Sequence, residues 1–222
     1  MRFAFAAVSL VALAPVCGAQ QLSTTPTLDS ASAAQVSRIV AEAQSRGLPA
    51  ERIVAKVKRG LLIRTPSPRI VAAAQAVADR LEVARAALAP SPGPADILAG
   101  EDALSVGVRV DALKRLRAAS PNQSIAVPLG LLTQLVASGE SEKRATAMVT
   151  ELVRRGATSS QLIALGNNVN ADVGRGARVD ESFDARIDGL TAVLAPGATG
   201  SATAAALPTT PSGTGPKRPN TP

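Results

Sequence analysis

The chain has no histidine, no tryptophan and no tyrosine, and its single cysteine is Cys17. Those gaps exclude a wide range of chemistry. Neither a Ser-His-Asp nor a Cys-His nucleophile can be assembled, and the usual zinc ligand set is missing. A lone cysteine forms no intrachain disulfide. Phe3 and Phe5 stand at the very start, so Phe183 is the one aromatic of the remaining chain. One ring offers no stacking platform for a single-stranded nucleic acid or a polysaccharide.

Other sites fail on spacing. No lysine follows a serine by three residues, which excludes the Ser-x-x-Lys arrangement. No Walker A loop occurs, and Gly174-Arg175-Gly176 lacks the third glycine of a dinucleotide fingerprint. The expectation is a protein with no cofactor, no metal and no enzymatic activity.

What is present begins with an export signal. MRFAFAAVSLVALAPVCGAQ has one basic residue, Arg2, an apolar run from Phe3 to Ala14, and Pro15 ahead of small residues. This pattern predicts a secretory signal peptide over residues 1–19, cut after Ala19. The run is shorter than the roughly 20 residues a bilayer span needs, so no transmembrane segment is expected after cleavage. Lipidation of Cys17, giving a lipid-anchored envelope protein, is the alternative; Val16 stands where such sites carry a small residue. Either way the expected location is outside the cytoplasm, periplasmic or secreted. Cleavage would remove Arg2 and lower the formal charge from +7 to +6. A flexible segment is expected over 20–29. The other end, from Ala195 to Pro222, is rich in Pro, Thr, Gly and Ala and should be disordered, because it holds too little apolar surface to offset ordering entropy.

Between these ends the periodicity is helical. Ile70, Ala74, Val77, Leu81, Ala84 and Leu88 form one apolar stripe over residues 67–89, and Pro90 stops it. Phe183, Ile187, Leu190 and Leu194 do the same over 180–194. No comparable stretch alternates with period two, so the fold class is all-α.

The short helices recur. Arg-Ile-Val-Ala begins at Arg52 and again at Arg69, 17 residues on. Breaks at Ser30, Gly47 and Arg64 share that interval, as do those at Asn122, Gly139 and Gly156, with Gly107 out of phase. Val36, Ile53 and Ile70 fall at equivalent places, as do Leu135, Leu152 and Val169. Each unit reads as about twelve residues of helix and five of connection. Glycine can close a helix in the left-handed conformation, and Pro49, Ser141 and Thr158, two residues after their glycines, suit the next helix start. Three-turn helices are marginal alone, so they must pack on one another as hairpins around an Ala/Leu/Val core. The expected organisation is a helical subdomain over 30–89, a Pro-rich linker or corner at 90–95, and a second helical subdomain over 96–194. One continuous array and two small bundles both fit this layout.

With GLPAERIVAKV, SIAVPLGLLTQLV and ELVRRGATSSQLIALG as its motifs, the chain resembles hypothetical exported bacterial proteins built from Gly/Pro-punctuated short helices. The resemblance covers most of residues 30–175. It implies fold and export and brings no activity with it.

Three candidate chemistries remain. Paired carboxylates could run a hydrolase of the glycosidase type; the clusters are Glu101–Asp102, Glu140–Glu142, and Asp180, Glu181, Asp184 and Asp188. NNVNADVG sets Asn168, Asn170 and Asp172 at calcium-loop positions, but Val173 and Val179 occupy two positions that define such a loop. A polar helix end fits that stretch better. Finally, Arg52, Lys56, Lys58, Arg59, Arg64 and Arg69 run without an intervening acid. They would contact anionic envelope material such as lipid head groups, lipopolysaccharide or an acidic protein, or else form a plain solvated face. Nucleic acid is disfavoured as a partner. The leading functional reading is a non-enzymatic binding or structural module of the bacterial cell envelope that recognises a partner protein through helix faces. A peripheral binder of anionic surfaces stands second, and a carboxylate-dependent hydrolase third.

Overall fold

A computed structural model describes residues 27–194. The stretch expected to be a signal peptide, with Cys17, and the Pro/Thr/Gly/Ala-rich tail lie outside the described residues. Among those described, all regular structure is α-helical and no strand occurs. The chain falls into two compact units, one ending at Asp79 and the other starting at Arg80.

The first unit holds α1 (Ser30–Ser45), α2 (Glu51–Leu62) and the opening turns of α3 (Ser67–Ala87). Asp29 caps α1 by accepting from the Ser32 backbone N–H at 2.9 Å. The apolar positions point inward: Val36, Ile39 and Ala43 of α1, Ile53 and Val57 of α2, and Ile70, Ala74 and Val77 of α3 are buried. Gly60 lets α2 and α3 approach closely, since a Cβ there would stand 2.9 Å from Ile70 Cγ1.

The second unit takes up the end of α3 and continues through α4 (Pro94–Ser105), α5 (Val110–Ala119), α6 (Ala126–Ala137), α7 (Glu142–Arg154), α8 (Ser159–Gly174) and α9 (Val179–Val193). The proline-rich stretch is a short non-helical connection over 88–93 within this unit, and α4 begins on Pro94. Alternate helices pack together: α4 on α6 and α6 on α8 in one row, α5 on α7 in the other, with α9 against α8. The array expected from the periodicity is realised here as two helical layers. α6 stands at its centre because AVPLGLLTQLVA carries no charge and buries Pro128, Leu129, Leu131, Leu132 and Leu135. A helix apolar nearly all round has to be covered on several sides. Gln134, its one long polar side chain, donates from Nε2 to the Gly166 carbonyl of α8 at 2.7 Å.

Six helix ends share one hydrogen-bond pattern. At Gly156, the N–H donates to Val153 O at 3.0 Å and the following Ala157 N–H donates to Leu152 O at 2.9 Å. Two bonds of this kind close a helix through a left-handed residue. The same pair recurs at Gly47, Gly107, Gly139 and Gly176, all with φ between 70 and 100°. The sixth is Arg64, with φ 54° and Thr65 N–H donating to Gly60 O at 2.9 Å. An arginine thus stands in the slot that five other helix ends fill with glycine.

Gly156→Val should destabilise the fold by about 1–2 kcal/mol, because a side chain in the left-handed region crowds the next carbonyl. A melting temperature equal to the parent's would deny Gly156 its role as terminator. The next helix starts as anticipated at Thr158, whose side chain accepts from Gln161 N–H while Gln161 accepts from Thr158 N–H. Ser141 differs. It occupies the N-cap of α7 without a side-chain capping bond, and its own N–H donates to Glu140 Oε1 at 2.9 Å.

Candidate functional site

α2 sets Arg52, Lys56 and Arg59 along one stripe, at i, i+4 and i+7, with Lys58 about 100° round the helix from Arg59, on the side of Glu51 and Val54. Arg64 follows in the α2–α3 turn and Arg69 in the first turn of α3. Lys56, Lys58, Arg59, Arg64 and Arg69 are exposed; Arg52 is half-buried and engaged in contacts of its own. The structure therefore gathers four cations on α2 and its end, places Arg69 on the next helix, and withdraws Arg52. α2 presents its C-terminal, partially negative end here, which favours Arg59 and Arg64 as local complements.

Sequence reasoning missed the neighbours of these cations. Leu62 and Ile63 are 79% and 71% exposed, side by side where α2 ends. A signal existed in Leu61-Leu62-Ile63. Successive helical residues point about 100° apart, so three in a row cannot all face one core. Leu61 takes the inner position and is half-buried.

Most of the carboxylates singled out as hydrolase candidates are engaged within the fold, while Asp188 is exposed. Glu101 is buried and accepts from Arg80 Nε at 2.9 Å. Glu140 is buried, bonded to Ser141 N–H, and 3.6 Å from Arg144 Nη1. Glu142 lies 3.3 Å from Arg109 Nε. Asp180 accepts from Arg178 at 2.8 Å and Asp184 pairs with Arg144. Each of these contacts ties a carboxylate to a group of the fold itself. A groove of about 460 Å³ beside α1 and α2 is lined by Leu48, Ala50, Val54 and Ala55 with Glu51 as its one carboxylate. A second groove, about 450 Å³, between the 120–124 turn and the start of α8 has none.

NNVNADVG forms the C-terminal half of α8 instead of a loop. Asn168, Asn170 and Asp172 sit two apart on a helix, so their side chains diverge. Among the described residues, no group of three His, Cys, Asp or Glu side chains is placed to hold a metal. Asp172 instead accepts from Arg186 Nε at 3.0 Å, Ser182 Oγ at 2.8 Å and Arg175 Nη2 at 2.5 Å. These bonds, the Arg186 one foremost, hold its carboxyl well below the usual carboxylate range. A depressed folded-state pKa adds stability above the ordinary Asp value of about 4, and that contribution fades as pH falls toward the folded value. The protection of α9 amides relative to their intrinsic exchange rates should therefore fall below about pH 4, and Asp172→Asn should show the lower protection already at neutral pH. Identical pH profiles for parent and variant would exclude this link between α8 and α9.

No family model, curated protein or solved structure matches the chain. Among the described residues, no helix is long and apolar enough to cross a membrane.

Proposed function

We propose that the chain is an exported, non-enzymatic helical module of the bacterial cell envelope that acts by binding, and that the α2–α3 corner is its contact with anionic envelope material. Export is inferred from the amino-terminal sequence. The observation that carries the binding surface is the row of exposed cations on α2 and its turn, in a stretch where no acid occurs between Arg52 and Asp79. A row of exposed cations raises the local concentration of anionic partners and orients them. Glu101, Glu142 and Asp184, three of the carboxylates that a hydrolase would draw on, are paired with arginines of the fold, which favours a structural role for them.

Recognition of a partner protein through apolar helix faces is the competing mode, and the groove lined by Leu48, Ala50, Val54 and Ala55 favours it. Salt separates the two. Raising ionic strength from about 0.1 M to about 1 M shortens the screening length from about 10 Å to about 3 Å. Retention of the exported protein on isolated envelope should then fall at least severalfold, and Lys56→Glu with Arg59→Glu, neither of which lines that groove, should lower it at low salt. Retention that ignores both changes would transfer the function to the apolar faces.

A further inference from the structure

We propose that the α2–α3 turn is a membrane-docking tip, in which Leu62 and Ile63 enter the interfacial layer of an anionic lipid bilayer while Lys58, Arg59 and Arg64 hold its phosphates. The proposal rests on the anionic-contact reading above and names its partner as lipid.

Three observations converge on it. Among the described residues, Leu62 and Ile63 are the most exposed of the large apolar side chains, and they are adjacent, whereas Val83, Val106 and Ile163 are isolated. Side chains so exposed project from the surface. A protein partner would need a pocket shaped to receive them, but a fluid interface moulds itself around such a tip. Cations bracket the pair, with Lys58 and Arg59 within the preceding turn and Arg64 directly after it. Their alkyl stems can lie along the apolar layer while the charged heads stay at phosphate level. α2 presents its negative end at this point, so attraction to anions depends on those side chains and not on the helix dipole.

The third observation is Arg64 itself. It holds a left-handed conformation at φ 54°, in the slot that is glycine at Gly47, Gly107, Gly139, Gly156 and Gly176. Strain tolerated at one place and avoided at its equivalents points to a use for the side chain there. A cation at this slot follows the apolar pair directly, where a phosphate would lie.

The test compares the exported protein and its variants, prepared alike, on phosphatidylcholine vesicles and on vesicles of phosphatidylcholine and phosphatidylglycerol in equal parts. The parent should co-float with the anionic vesicles only. Leu62→Ser with Ile63→Ser removes exposed groups, leaves the fold intact, and should weaken partitioning about tenfold or more. Arg64→Gly should weaken it severalfold while the melting temperature rises, which separates contact from folding. Ile63→Trp gives the chain its only indole, whose emission should shift to the blue on anionic vesicles alone.

Partitioning unchanged by the serine pair but abolished by salt would overturn insertion and leave the anionic contact standing. A parent that ignores vesicles yet retains an acidic envelope protein in a salt-labile way would overturn the lipid assignment only. Indifference to vesicles and to anionic envelope material together would overturn both.

Discussion

Asp96→Ala should cost the second unit about 3–5 kcal/mol, the scale expected when one member of a buried ion pair is removed and the other is left uncompensated. Asp96 sits in the first turn of α4, buried, with its Oδ2 2.7 Å from Arg117 Nη2. Its Oδ1 accepts from Ser124 Oγ at 2.7 Å and from the Ile125 backbone N–H at 3.0 Å. Arg117 also donates to the carbonyl of Gln123 at 2.8 Å. One carboxylate thus joins α4, α5 and the α5–α6 connection. Its loss strands a guanidinium that is only 12% exposed and a buried N–H. Chemical denaturation reads the effect directly. Asp96→Leu combined with Arg117→Met should recover much of the loss, because the stranded charge leaves together with its partner. A single variant as stable as the parent would show that the connection is organised by packing alone.

Phe183→Ala should be of similar size, about 3–5 kcal/mol, since it deletes a fully buried ring and leaves a cavity that the backbone fills only partly. Phe183 and Ile187 are buried on one face of α9, and α9 packs against α8. The loss should appear first as rapid amide exchange throughout α9. Phe183→Leu keeps most of the apolar volume and should cost less than about 1.5 kcal/mol. If alanine were tolerated as well as leucine, α9 would owe its place to the ion pairs of Arg144 with Asp184 and Arg186 with Asp172 rather than to its apolar face.

The helices were legible from their residues. Ile70, Ala74, Val77, Leu81, Ala84 and Leu88 recur at helical spacing as one stripe, and all are buried. Gly47, Gly139 and Gly156 stand where the apolar periodicity breaks, and all have positive φ. The strained Arg64 was legible only in part: the 17-residue interval reached it, but nothing local told a break made by arginine from one made by glycine. Asp96 carries no local signal, unlike the more conspicuous Glu101–Asp102 and Glu140–Glu142. Adjacent acids stand out in a string of letters, and an isolated one does not, whatever it meets in space.

What the sequence by itself determined is the helical class and the punctuation, because spacing at i, i+3 and i+4, glycine closures and proline starts are decided within a few residues of backbone sterics. Only the tertiary structure decided which carboxylates are bound to arginines and which apolar residues stay in water. Arg117 and Asp96 lie 21 residues apart and Arg144 and Asp184 lie 40 apart. Leu62 is as apolar as the buried Leu81 and differs only in what surrounds it. Pairing and exposure depend on which distant segments the packed helices bring together, and no local window of residues contains that information.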